Sequence, residues 1–70
     1  MIGNYLKEKR IQKKIPFETV SSLLGVKEDY VTFLENGQIY SFGENRIKAI
    51  IKAYALNENE TKEFLELVNN

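Results

Sequence analysis

Two carboxylates, a hydroxyl and an aromatic ring lie within six residues of each other, at Glu28, Asp29, Thr32 and Phe33. In a helix these side chains share one outer face, because residues three and four apart are neighbours on the helix surface. The face lacks the amide and guanidinium groups that bond base edges most often. Its carboxylates and ring suit a basic, partly apolar partner. Duplex DNA also stays open, through a cytosine amino group or a thymine methyl group.

The two carboxylates also have a purely structural explanation. Acidic residues in the first turn of a helix interact favourably with its dipole, by about 0.3–1 kcal/mol each. The sequence leaves both explanations of Glu28 and Asp29 open.

A second set of side chains can donate hydrogen bonds to phosphates or bases. This set consists of Lys27, Thr32, Gln38, Tyr40, Asn45 and Arg46. The charge distribution is mixed: residues 1–14 carry five cations against one glutamate, a net +4, whereas residues 15–37 carry one lysine against four acids, a net −3. Phosphate neutralisation supplies much of the affinity for DNA, so an acidic centre weakens the case for tight operator binding.

Several classes of function are excluded by composition. The chain has no Cys and no His, which removes disulfides, thiolate or imidazole metal sites and the commonest nucleophile and acid-base pairs. It has no glycine-rich phosphate loop and no cluster of metal ligands. We therefore expect no enzyme activity, no catalytic residue, no metal and no cofactor. No apolar run approaches the ~20 residues that span a bilayer, so we expect no membrane contact and a cytoplasmic location.

The apolar pattern predicts the elements that position these side chains. Val20, Leu23 and Leu24 have the spacing of one short helix, and a second group follows at Tyr30, Val31 and Leu34. Between them, Gly25 suits the left-handed end of the first helix and Val26 closes the corner. This pattern predicts a helix-turn-helix at about residues 17–36, within one domain that covers residues 1–70.

The motifs around this corner resemble a known family. Leu24-Gly25-Val26, then Tyr30-Val31, then Leu34-Glu35-Asn36-Gly37 is similar to the helix-turn-helix of lambda-repressor-like regulators, the Cro, phage-repressor and Xre-type group. The likeness extends over nearly the whole chain, with Ile2-Gly3, Leu6, Arg10 and Ile15 before the motif and Ile47, Ile50, Ala53 and Leu56 after it. It implies an all-α, five-helix DNA-binding domain. We expect helices at about 2–13, 17–24, 27 or 28 to 36, and 44–55, and a last helix that Asn57 or Asn59 caps and that ends near 68.

The resemblance also implies roles for single residues. Arg10 is expected to pair with Glu35, which ties the first helix to the third, the recognition helix. At Phe17 the family usually has a glutamine that contacts the DNA backbone, and at Leu23 a polar residue. Phe17 therefore either packs under the first helix or is presented to a partner. Ile11 is expected among the apolar members of the first helix.

Two functions follow from the resemblance. The first is a transcriptional regulator in a phage or bacterial genetic switch, which binds double-stranded operator DNA weakly or together with a repressor in the bacterial host cell. The alternative is an antirepressor that binds a repressor protein through the helix-turn-helix surface. The resemblance implies that six residues are DNA-binding candidates, namely Lys27, Thr32, Gln38, Tyr40, Asn45 and Arg46. The partner-binding candidates are Phe17, Leu23, Glu28, Asp29 and Phe33. The terminal helix is expected to close the core or to form a homodimer contact.

Overall fold

A computed structural model describes residues 1–69. Over this range the chain forms five helices and no strand. They are α1 (Ile2–Gln12), α2 (Phe17–Leu24), α3 (Glu28–Glu35), α4 (Glu44–Ala53) and α5 (Glu58–Val68). The all-α, five-helix prediction is confirmed, and α2 has the predicted bounds. The largest difference is at α4, which ends two residues before the predicted 55.

Helix ends follow from local sequence. Gly25 and Gly37 take left-handed conformations after α2 and α3, with φ of 69° and 83°, which glycine adopts without steric cost. At the start of α5, Asn57 and Glu60 form a capping box. The Glu60 N–H donates to Asn57 Oδ1 at 2.8 Å and the Asn57 N–H donates to Glu60 Oε1 at 2.9 Å. These contacts fix where the helices begin and end.

The core draws on every helix. The fully buried side chains are Leu6, Val20, Val31, Leu34, Ile50, Tyr54 and Phe64. The expectation that Ile11 belongs to the apolar side of α1 is wrong, because Ile11 is 57% exposed. Leu6 lies five residues earlier, which is a helical turn and a half away, so the two side chains point in different directions.

Gly3 brings α1 directly onto the end of α3. A Cβ at this position would lie 2.6 Å from the Glu35 carbonyl oxygen, 2.7 Å from the Leu34 carbonyl oxygen and 2.8 Å from the Gly37 nitrogen. Only a residue without a side chain allows this approach. The contact fixes one end of α3. Within residues 1–69, no helix combines the length and apolar character that crossing a membrane requires.

Candidate nucleic-acid interface

Helices α2 and α3 meet at a short, hydrogen-bonded corner. The Gly25 N–H donates to the Ser22 carbonyl at 3.1 Å, and the Val26 N–H donates to the Ser21 carbonyl at 3.0 Å. These bonds satisfy two carbonyls that the end of α2 would otherwise leave without a partner. Val26 is half-buried against the core. The geometry is that of a helix-turn-helix.

The outer face of α3 consists of Glu28, Asp29, Thr32 and Phe33, and all four residues are exposed. Phe33 keeps 46% of its surface accessible. The Thr32 hydroxyl donates to the Glu28 carbonyl at 3.4 Å within the helix. The face therefore offers two carboxylates, a hydroxyl and a half-exposed aromatic ring to a partner.

The structural explanation of the two carboxylates also has support. Lys27, which precedes α3, provides no side-chain cap for the first turn, and Glu28 and Asp29 lie in that turn. Their charges compensate for the missing cap through the helix dipole. Stabilisation of the helix and presentation of negative charge are compatible.

Arg10, Glu35 and Tyr54 hold the end of α3. Arg10 Nε lies 2.8 Å from Glu35 Oε2, and Arg10 Nη2 lies 3.1 Å from Oε1, so the pair is bidentate. The Tyr54 hydroxyl donates to Glu35 Oε2 at 2.8 Å. Glu35 is buried, with 5% of its surface exposed. Because desolvation offsets much of the attraction in a buried ion pair, we assign this cluster the role of orienting α3.

The same cluster perturbs two ionisable groups. The hydrogen bond to Glu35 raises the pKa of Arg10, although burial acts in the opposite direction. Burial, followed by the hydrogen bond to Glu35, raises the pKa of the Tyr54 phenol well above its ordinary value. Both side chains therefore keep the protonated form that donates to Glu35.

Phe17 is neither fully packed under the first helix nor fully presented to a partner, the two alternatives that the sequence left open. It is half-buried and packs against the core, and the Arg10 guanidinium carbon lies 4.7 Å from its ring centroid. Arg10 Nη1 also donates to the Ile15 carbonyl, at 3.4 Å. One face of the ring is thus covered by Arg10. Leu23, in contrast, is 49% exposed on α2.

Arg46 has contacts within the protein. Its Nη1 donates to the Leu24 carbonyl at 3.2 Å, and its guanidinium carbon lies 4.8 Å from the Tyr30 ring centroid. Residue Arg46 is half-buried. Arg46 is one of the DNA-binding candidates from the sequence, and no spacing rule indicates these two contacts, because they join residues far apart in the chain.

The basic character of α1 is largely neutralised inside the protein. Lys13 Nζ lies 2.6 Å from Glu60 Oε1 and donates to the Ala55 carbonyl at 2.9 Å. Lys9 Nζ lies 3.7 Å from Glu60 Oε2. The hydrogen bond from Lys13 holds the pKa of Glu60 below its ordinary value. Lys7 and Lys14 remain exposed, so residues 1–14 offer less free charge than their sequence indicates.

The remaining DNA-binding candidates are exposed but belong to different elements. Lys27 precedes α3, Gln38 and Tyr40 lie in the loop between α3 and α4, and Asn45 is in the first turn of α4. Tyr40 is 72% exposed. These side chains are free to donate to an external acceptor. Among the residues that the structure describes, no group of acidic side chains could hold a metal ion.

The chain belongs to a family of helix-turn-helix domains. The family model, described as a helix-turn-helix domain, matches residues 5–56, a span that contains α2, the corner and α3. This family membership indicates a DNA-binding regulator in general terms, and such domains are typically not enzymes. Comparisons with curated proteins and with solved structures found no match.

Proposed function

We propose that this protein is a transcriptional regulator of the Cro and phage-repressor type, which binds operator DNA weakly or together with a repressor in a phage or bacterial genetic switch. The observation that carries the proposal is the helix-turn-helix with an exposed, acidic outer face on α3. In this proposal α3, the second helix of the helix-turn-helix, enters a major groove. The carboxylates of Glu28 and Asp29 limit how tightly it binds there, because they repel phosphates.

The exposed donors supply the DNA contacts in this proposal. Lys27 and Asn45 donate to phosphates, and Thr32 and Gln38 donate to phosphates or base edges. Each neutralised phosphate adds about 0.9 to the slope of log affinity against log salt concentration. With few free cations near α3, we expect a shallow salt dependence.

Operator binding is tested with two double variants, each of which replaces two carboxylates by neutral amides. The protein is titrated against duplex DNA from the promoter beside its own gene, at low and moderate salt, by fluorescence anisotropy. The variant Glu28→Gln/Asp29→Asn removes both carboxylates from α3, and we expect it to bind on the order of tenfold more tightly. The matched control Glu8→Gln/Glu58→Gln removes the same charge from exposed positions on α1 and at the first residue of α5.

The control separates a local effect from a change in net charge. An equal gain in both double variants would mean that total charge, and not the outer face of α3, governs binding. If neither the wild type nor either double variant changes the anisotropy of the DNA at low salt, operator binding is contradicted.

A second candidate function is an antirepressor, and the exposure of Phe33 beside two carboxylates favours it. Aromatic side chains that enter a pocket dominate many protein interfaces. A repressor presents a basic surface to DNA, and the outer face of α3, with Leu23 nearby in sequence on α2, complements that surface. Binding there would prevent the repressor from reaching its operator.

Titration against any repressor encoded beside the gene tests the second candidate. We expect Phe33→Ala to weaken the complex by more than about 1 kcal/mol, with little change in the melting temperature, because the ring is half-exposed. Ile11→Ala, an exposed apolar position on α1, is the matched control and should leave the affinity unchanged. Equal affinities of Phe33→Ala and the wild type would exclude Phe33 as an anchor.

We propose that the protein binds its operator as a two-fold dimer whose contact is formed by the end of α5. A groove of about 600 Å³ lies between the start of α1, the loop after α3 and the end of α5, with Ile2, Ile39, Leu67 and Val68 in its lining. A dimer that binds two half-sites has to present its two α3 helices about 34 Å apart. Sedimentation equilibrium measures the dimer, and a monomer at all accessible concentrations would contradict it.

A further inference from the structure

The chain contains two arginines, and each of them contacts one end of α2 and one end of α3. Arg10 stacks on Phe17, the first residue of α2, and pairs with Glu35, the last residue of α3. Arg46 donates to the carbonyl of Leu24, the last residue of α2, and stacks on Tyr30 in the first turn of α3. The two contacts of Arg46 thus lie on opposite sides of the corner at Gly25.

We propose that Arg46 is a positioning residue that sets the angle between α2 and α3, and that it is not a phosphate ligand. It acts through Leu24 and Tyr30, from a side chain on α4. The proposal deepens the proposed function and rests on it, since the helix that Arg46 positions is the one that contacts the target.

The contacts of Arg46 suit a guanidinium better than an ammonium. A planar guanidinium can stack on a ring and donate in its own plane at the same time, whereas an ammonium is a point charge that cannot stack. The Leu24 carbonyl is among the last four of α2, which have no partner inside the helix. A cation at this end also interacts favourably with the helix dipole. The Arg46 guanidinium therefore bonds the last carbonyl of α2 and contacts the Tyr30 ring of α3 at the same time.

The contacts of the two arginines limit how this protein can read a DNA sequence. A bidentate arginine on guanine is the commonest base-specific contact in the major groove. Arg10 is occupied by Glu35, and Arg46 is occupied at the corner, so neither arginine of the chain is available for it. Sequence reading by this protein then depends on side chains such as Thr32 and Gln38.

The first test measures the angle itself and needs no DNA. Residual dipolar couplings give the orientation of α2 relative to α3 in the wild type, in Arg46→Lys, in Tyr30→Leu and in the double variant. We expect both single variants to change the angle. The double variant should change it little further, because Arg46→Lys and Tyr30→Leu break the same contact. Lys52→Gln, which removes an exposed charge from the same helix, should leave the angle unchanged.

If Arg46→Lys changes the angle no more than Lys52→Gln does, the proposal is overturned. Tyr30→Leu keeps the test decisive if Arg46→Lys does not fold, since it breaks the same contact from the other side. An unchanged angle in that variant also overturns the proposal.

The second test uses promoter DNA and distinguishes positioning from phosphate binding. Arg46→Lys retains the charge, so a phosphate ligand would keep most of its affinity, whereas a positioning residue loses on the order of tenfold, the size of one misaligned base contact. Removal of a phosphate ligand by Arg46→Gln would lower the salt slope by about 1. We expect an unchanged slope. If no variant binds DNA, the proposed operator contact fails, and the angle measurement still decides the role of Arg46.

Discussion

Removal of the Tyr54 hydroxyl tests the cluster that orients α3. In Tyr54→Phe the ring keeps its volume and its place in the core, so no cavity forms. The change deletes the 2.8 Å hydrogen bond to Glu35 Oε2. Glu35 is buried and retains two N–H donors from Arg10, so its carboxylate loses one partner of three.

The expected cost follows from these contacts. A hydrogen bond to a charged group contributes about 1.5–3 kcal/mol, and the remaining Arg10 donors partly compensate, which gives a loss of about 1–2 kcal/mol in the free energy of unfolding. For a domain of this size, 1 kcal/mol corresponds to roughly 4–8 °C in melting temperature. We therefore expect the midpoint to fall by about 5–15 °C.

Urea and thermal unfolding, followed by circular dichroism at neutral pH, measure the loss. Tyr40→Phe is the matched control, because Tyr40 is 72% exposed and lies outside the core. If Tyr54→Phe is as stable as Tyr40→Phe, the hydroxyl contributes nothing to the cluster and the assignment is refuted.

The pH dependence gives a second readout of the same bond. Burial and Glu35 raise the pKa of the Tyr54 phenol, so its contribution to stability is complete below the unfolded pKa of about 10 and is lost as the pH rises above it. The wild type should therefore lose stability steeply above about pH 10. Tyr54→Phe should lose less stability than the wild type over this pH range. Part of the pH dependence remains in the variant, because burial and Glu63 also raise the pKa of Tyr5.

Three further predictions concern stability. Gly3→Ala should lower the free energy of unfolding by about 3 kcal/mol, because its Cβ would lie 2.6–2.8 Å from backbone atoms at the end of α3. In the same urea titration, the control Asn4→Ala should lower it far less, because Asn4 is exposed. Ala55→Gly should stabilise the protein by about 0.5–1 kcal/mol, because Ala55 has a φ of 51°, and a lower urea midpoint would contradict this account. The pKa of Glu60 is lower in the folded protein than in the unfolded chain. Its contribution to the free energy of unfolding is therefore complete above its pKa in the unfolded chain, and it is lost as the pH falls through its pKa in the folded protein. Glu60→Gln should therefore be less stable at neutral pH and lose less stability on acidification than the wild type, and parallel acid titrations of the two proteins would refute this.

The predictions that succeeded from sequence depend on local signals. The bounds of α2 follow from Pro16 before it and Gly25 after it, and Gly37 marks the end of α3 in the same way. Apolar spacing identified Val31 and Leu34 as core residues of α3. These features need only neighbours within about one turn, so a single sequence contains them.

Contacts between distant residues could not be predicted in this way. Lys13 and Glu60 are 47 residues apart and Tyr54 and Glu35 are 19 apart, and no spacing rule joins them. The pairing of Arg10 with Glu35 was implied by family resemblance and not by periodicity. The sequence analysis gave Asn57 or Asn59 as the cap of α5, and the structure confirms Asn57. The spacing of Asn57 and Glu60, which is that of a capping box, is the local signal that distinguishes Asn57 from Asn59.

The distribution of charge links the two proposed functions. Lys9, Lys13 and both arginines use their charge or their donors inside the fold, so the exposed charge is more acidic than the neutral total suggests. The carboxylates of Glu28 and Asp29 then act in opposite directions on the two partners. Their removal should strengthen binding to promoter DNA and weaken binding to a basic repressor surface. Because one double variant moves the two affinities in opposite senses, measuring both on the same protein decides between operator contact and repressor contact.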